Sequence, residues 1–184
     1  TLGNSTFSDC TNLKTVTIPN VSVIGSSCFY SCTGLTDIDL SRVTEIGNQA
    51  FSNCTSLKKV DLSSVVNFGF NYYNDSYAFR ACRSLKEAIL PRECSSIPDG
   101  LFYECDSLTS VTIPEGCTYI GDYAFHGCPL ETISIPSTIT TIQSDAFSSS
   151  VVKDLYCHVI VPFETSVFDN MQSATLHVPE FSIN

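Results

Sequence analysis

Tryptophan is absent from this 184-residue chain, and basic side chains are scarce: nine Lys and Arg stand against nineteen Asp and Glu, a formal charge of −10. So acidic a chain repels phosphate backbones and anionic lipid surfaces, which excludes nucleic acid as an expected partner. Charge of either sign is sparse, at 15% of residues against roughly 25% in a typical soluble domain. Ser, Thr and Asn must therefore supply most of the polar surface. No apolar run approaches the roughly 20 residues that cross a bilayer, so no membrane span is expected. The opening Thr-Leu-Gly-Asn-Ser has neither the basic end nor the apolar stretch of a signal peptide; any targeting segment is expected to have been removed or to lie outside this sequence.

Motifs that carry chemistry are also lacking. There is no G-x-S-x-G and no Gly-rich phosphate loop. No cysteines are paired as C-x-x-C, and His126, His158 and His177 are scattered, so no metal or other cofactor is expected. Paired carboxylates such as Asp37 with Asp39 read as ordinary solvated charge. A β-solenoid polysaccharide lyase would need Asp-rich calcium ligands beside a basic catalytic residue, and nine thinly spread Lys and Arg do not suit that role. The chain is not expected to be an enzyme.

What the sequence does have is ten cysteines, a count that fits a disulfide framework, a metal cluster, or small buried apolar side chains. Six of them decide the matter by position. Cys10, Cys32, Cys54, Cys82, Cys105 and Cys128 each lie three residues after a phenylalanine: Phe7, Phe29, Phe51, Phe79, Phe102 and Phe125. Those phenylalanines are spaced by 22, 22, 28, 23 and 23 residues, and Phe147 follows after 22 more. A fixed period in this range marks a solenoid.

Written from the phenylalanine, the unit reads F-x-x-C-x-x-L-x-x-V-x-I-P, then V-x-x-I-G-x-x-A. The L-x-x-V-x-I group, as in Leu108, Val111 and Ile113, alternates at its end as a strand does. Pro19, Pro91, Pro114, Pro136 and Pro179 follow it and end the strand, because proline has no N–H for a ladder. Gly25, Gly47, Gly69 and Gly121 mark a turn where a side chain would obstruct or φ is positive. Small residues before the phenylalanine, Ala50, Ala78, Ala124 and Ala146, let the backbone pass close to the core. One unit cannot bury its own apolar side chains. Stacked in register, each position becomes a column, and each fully buried Leu, Ile or Phe contributes about 1.5–3 kcal/mol before entropy is subtracted.

The L-x-x-V-x-I-P, I-G-x-x-A-F and F-x-x-C-x-x-L elements resemble the BspA-like leucine-rich repeats of bacterial surface proteins, over nearly the whole chain. The ending from Leu155-Tyr156-Cys157 to Leu176-His177-Val178-Pro179 is similar to the terminal repeats of such proteins in Bacteroidetes. The resemblance implies a leucine-rich-repeat solenoid: a right-handed coil with a parallel concave β-sheet and short irregular or helical convex segments. It implies one domain, 1–184, of about seven repeats of 22–23 residues, with divergent terminal repeats in 148–184. It also implies that the chain begins inside a repeat and stops just short of the end of its array. A non-catalytic adhesion module at the cell surface or outside the cell follows from the same resemblance, monomeric, with an extracellular protein or glycan as ligand. A structural spacer is the competing reading.

Against this template the other cysteines also have places. Cys94 and Cys117 fall in the column of Val21, Val43, Val65 and Ile139; Cys28 takes the small-residue position and Cys157 the last strand position. All ten are expected to be reduced and buried. The strand positions flanking the middle apolar residue should face solvent on the concave side, where Asp37, Asp39, Asp61 and Glu87, interrupted by Lys59, form an acidic stripe suited to a basic ligand. The period breaks once, by six extra residues within 70–77, a segment holding Phe70, Tyr72, Tyr73 and Tyr77. Insertions emerge as loops on one face, and Tyr with Asn and Ser is the composition of recognition loops. The same aromatics would equally serve to plug the gap that an insertion opens.

Overall fold

The structure, a computed structural model, describes residues 1–69, 76–158 and 174–178. It is a stack of coils joined along three flanks by ladders of hydrogen bonds. The concave row is built from β1 (Thr15–Val16), β3 (Asp37–Ile38), β5 (Lys59–Asp61), β7 (Glu87–Ile89), β9 (Ser110–Thr112), β11 (Thr132–Ile135), β13 (Asp154–Cys157) and β14 (Thr175–His177), paired as three sheets: β1 with β3, β5 with β7 and β9, and β11 with β13 and β14. Every pairing is parallel and joins equivalent repeat positions, as in Thr15↔Asp37, Lys59↔Glu87, Glu87↔Ser110 and Thr132↔Asp154. The 28-residue spacing across the insertion leaves this register intact.

A second parallel ladder lies where the sequence shows only V-x-x-I. It consists of β2 (Val23–Ile24), β4 (Glu45–Ile46), β6 (Asn67–Phe68), β8 (Ser96–Ile97), β10 (Tyr119–Ile120) and β12 (Thr141–Ile142). Here the chain is interrupted: β2, β4 and β6 form one sheet, β8, β10 and β12 another. The glycine after these strands has a steric role at three of the four positions. A Cβ on Gly25, Gly47 or Gly121 would lie 2.5–2.7 Å from the backbone nitrogen of Asn4, Ser26 or Asp99 in the preceding coil, and only Gly69 has a positive φ, of 72°.

The third ladder surrounds the phenylalanines, and of the two convex geometries expected, irregular or helical, the described turns are irregular. Residues two before and two after six of the seven column phenylalanines adopt left-handed backbone: Ser5 and Asp9, Ser27 and Ser31, Gln49 and Asn53, Tyr77 and Ala81, Gly100 and Glu104, Tyr123 and Gly127; at Phe147 only Ser149 does. Most are not glycine, although this conformation is disfavoured for L-residues by about 1–2 kcal/mol. Hydrogen bonding to the next coil offsets that cost. The alternation turns every second N–H along the stack, so that Ser27, Phe29 and Ser31 donate to the carbonyls of Asn48, Ala50 and Ser52 at 2.7–2.9 Å. A helix would direct those donors along its own axis and leave the coils unjoined.

Inside, Phe29, Phe51, Phe79, Phe102, Phe125 and Phe147 are fully buried and stack with Phe7 into one column. Ring centroids are 5.2–5.3 Å apart in four of the six steps. The two wider steps, 5.9 and 5.8 Å with tilts of 23° and 21°, flank Phe102, the coil in which Leu101 occupies the small-residue position.

Beside this column runs a second row that the sequence pattern concealed. The thiols of Cys32, Cys54, Cys82, Cys105 and Cys128 donate to the carbonyls of Phe7, Phe29, Phe51, Phe79 and Phe102 in the preceding coil, at 3.1–3.2 Å. In the next coil Ser150 holds the cysteine position, and its hydroxyl donates to the Phe125 carbonyl at 2.6 Å. The cysteines are therefore donors as well as apolar filler; a serine substituting for one was the signal available in the sequence. The expectation that all ten are buried holds for eight; Cys157 is half-buried, and Cys10, in the first coil described, is exposed. Burial pushes the Cys32 thiol up to about 11 and the Cys82 thiol up to about 12, and raises Cys54, Cys105 and Cys128 further.

Replacing Cys105 by Ser should cost less than replacing it by Val, by about 1 kcal/mol, because only Ser keeps a donor for the Phe79 carbonyl; urea unfolding of the two variants checks this. Thiols whose pKa is raised by folding hold their protons between pH 9 and about 11–12 while the unfolded chain loses its own, so stability should be complete below pH 9 and fall above it. Native thiol titration near neutral pH should label Cys10 rapidly, and titration in denaturant without reductant should count close to ten.

Candidate functional site

Strand alternation positions the concave side chains. In β3, β5 and β7 the middle residues Ile38, Val60 and Ala88 point into the core, and their neighbours Asp37, Asp39, Lys59, Asp61, Glu87 and Ile89 are exposed. The register sets Lys59 directly beside Glu87, and Asp61 beside Ile89. The same residues line a shallow depression of about 280 Å³. All four acidic residues read from the sequence are therefore brought together on one face.

Two of those carboxylates are held at fixed orientation. The Ser41 N–H donates to Asp39 Oδ1 at 2.9 Å, and the Ser63 N–H to Asp61 Oδ1 at 3.0 Å. Hydrogen bonding from Ser41 lowers the Asp39 carboxyl below its ordinary range, and bonding from Ser63 does the same for Asp61. Both remain anionic well below neutral pH. Ile89, 46% exposed, adds an apolar contact at the rim. The face is thus chemically suited to a basic segment with one aliphatic contact. Further along the same row, Tyr156 and His177 stack at 4.3 Å, and His177 Nε2 lies 3.0 Å from Asp154 Oδ1.

The aromatic insertion is placed elsewhere. Phe70, Tyr72 and Tyr73 lie outside the described residues. Tyr77 sits on the phenylalanine-bearing turn, half-buried, with its ring against Tyr103 at 6.1 Å. It does not join the acidic stripe. Tyr103 in turn stacks on His126 at 4.6 Å, meets Tyr123 edge to face, and carries the Arg80 guanidinium 5.3 Å from its ring centre. His126 Nδ1 is 2.7 Å from the Ser148 hydroxyl. This row was missed from the sequence, although its members recur at fixed offsets from the phenylalanines: one after for Arg80, Tyr103 and His126, two before for Tyr77 and Tyr123. Its ring faces are spent largely on each other, which favours packing as its role. Among the described residues no group of three or more His, Cys, Asp or Glu is arranged to hold a metal, and no helix is long and apolar enough to cross a membrane.

The Tyr77 ring covers Gly100, where a Cβ would lie 2.2 Å from the ring and where φ is +63°. Gly100→Ala should therefore cost about 1–3 kcal/mol through strain and overpacking. Adding Tyr77→Ala should recover part of that loss, leaving only the strained backbone; thermal unfolding of the single and double variants measures the coupling.

The sequence matches the family described as BspA type Leucine rich repeat region, in 6 copies, over residues 1–75 and 72–184. Among solved structures it is similar to a leucine rich cell surface protein from Faecalibacterium prausnitzii A2-165, with 36% identity and a TM-score of 0.73 over 82% of this chain and 41% of that one. It also shares its fold with a leucine-rich repeat protein from Bacteroides ovatus ATCC 8483, at 22% identity and a TM-score of 0.66, over 98% of this chain and 50% of that one. The chain thus spans half or less of the length of either protein. No curated protein matches it. With the repeat matched along its length and its coils stacked in the register that the repeat dictates, the chain belongs to the BspA type leucine-rich repeat family.

Proposed function

We propose that the chain is a non-catalytic recognition module, displayed at a cell surface or secreted, that binds a protein or glycan ligand as a monomer. The observation that carries this reading is the gathering of Asp37, Asp39, Lys59, Asp61, Glu87 and Ile89 around one depression, with Lys59 and Asp61 in register with Glu87 and Ile89. Rigid parallel strands hold these side chains without support from the ligand, so little ordering entropy is lost on binding. The family match and the surface-protein description of the Faecalibacterium structure support display outside the cell. Phe70, Tyr72, Tyr73 and Tyr77 remain the second proposed contact, since per-repeat insertions in solenoids often carry binding residues. The competing reading, a spacer, is favoured by the unbroken phenylalanine column, which makes the stack stiff whether or not anything binds.

Matrix-protein and glycan arrays should be probed with the intact chain, with Asp39→Asn/Asp61→Asn/Glu87→Gln, and with residues 70–77 replaced by a short turn. A ligand whose signal drops at least tenfold in the triple variant and weakens with salt supports the concave site. Loss only on loop replacement moves the site to the insertion, and no signal from the intact chain leaves the spacer.

A further inference from the structure

The interruption of the second ladder lies between coil three and coil four, and among the described residues the Ser95 and Ser96 N–H and the Val66 and Phe68 carbonyls lack the bonds that their equivalents make. Elsewhere the pattern is regular. Thr44 and Glu45 N–H donate to the Ser22 carbonyl at 2.8 and 3.1 Å, and Gly47 N–H to the Ile24 carbonyl at 2.8 Å. Val66, Asn67 and Gly69 repeat this against Thr44 and Ile46, and Thr140, Thr141 and Gln143 against Thr118 and Ile120. In coil four the equivalent donors are Ser95, Ser96 and Pro98. Pro98 has no N–H to give. The segment before β8 is also one residue longer than the one before β6: seven residues separate Leu90 from Ile97, and six separate Leu62 from Phe68. Among the described residues, no hydrogen bond joins Ser95 or Ser96 N–H to the Val66 or Phe68 carbonyl, and β6 and β8 end their separate sheets.

The opening is confined to this flank. The Leu62 N–H still reaches the Ile89 carbonyl at 2.9 Å, and Phe51 stacks on Phe79 at 5.2 Å. What results is a cleft of about 690 Å³, within the usual range of about 300–1,000 Å³ for ligand sites, lined among others by Val66, Asn67, Phe68, Arg92, Ser95 and Ser96. Val66, 74% exposed, is the most exposed large apolar side chain among the described residues.

We infer that this cleft accepts an extended segment of a partner protein as an added parallel strand between β6 and β8. Its N–H groups donate to the Val66 and Phe68 carbonyls, and its carbonyls accept from Ser95 and Ser96 N–H. An extended peptide carries alternating N–H and C=O groups along each of its edges at strand spacing, so one edge can donate to the Val66 and Phe68 carbonyls while the other accepts from Ser95 and Ser96 N–H. Side-chain chemistry follows from the ladder. At its inner position stand Ile24, Ile46, Phe68 and Ile97, and at its outer position Glu45, Asn67 and Ser96, so the segment should alternate an aliphatic residue inward with a polar one outward. The site is separate from the concave stripe and does not depend on it.

Amide hydrogen exchange in the free chain should find Ser95 and Ser96 exchanging at least tenfold faster than Thr118 and Thr140, which are bonded at 2.9 Å. Random dodecapeptides displayed on phage should yield binders with the alternating pattern. A synthetic binder should slow Ser95 and Ser96 exchange, and its backbone N-methylated analogue should not. Val66→Trp, at an exposed position where folding is spared, should weaken the peptide at least tenfold, whereas Asp39→Asn/Asp61→Asn/Glu87→Gln should leave it unchanged. Ser95 and Ser96 protected like Thr118 in the free chain would mean that the chain closes its own cleft, and would overturn the inference. So would a failure to select any peptide, binders indifferent to Val66→Trp or to N-methylation, or a glycan that alone slows Ser96 exchange.

Discussion

Every coil of this protein is completed by the one stacked on it, and the phenylalanine shows the dependence most directly. Its ring is buried only between the rings above and below. Its N–H donates to the next coil, and its carbonyl accepts a thiol or hydroxyl from there as well as the amide of its own turn, as Phe29 does from Cys54. An isolated coil would leave that apolar surface in water and that carbonyl half-satisfied while keeping two left-handed residues. In-register stacking thus supplies burial and hydrogen bonding at once, and the strained turn persists because both are satisfied together.

The same constraint divides the surface into faces. Positions that point along the stack must match their neighbours, so they tolerate few residue types: Phe in the column, and Cys or Ser beside it. Positions that point outward are free to vary, and charge accumulates there, as at Asp37, Asp39, Asp61 and Glu87. Both proposed sites use such features, freely varying positions in one case and an interrupted ladder in the other. They occur near coils three and four, on different flanks: the acidic depression on the concave row and the open cleft on the second ladder.

Much of this was legible in the sequence. The period of the phenylalanines and the L-x-x-V-x-I group set the columns, and the exposure of Asp37, Lys59 and Glu87 follows from alternation alone. The convex turns were not legible, because Ser27, Gln49 and Tyr77 carry no mark of left-handed backbone; that conformation is imposed by donors directed at another coil. Nor did the cysteine pattern disclose a hydrogen-bonding role, since a buried thiol and a small apolar side chain occupy the same space.

By itself, then, the amino-acid order determined which positions stack on which, because a fixed period places equivalent residues in contact whatever the path between them. The tertiary structure alone decided how well each contact closes. β6 and β8 occupy consecutive coils yet remain unpaired, because one extra residue and a missing proline N–H shift the edges beyond hydrogen-bond reach, a distance that depends on residues more than twenty positions apart.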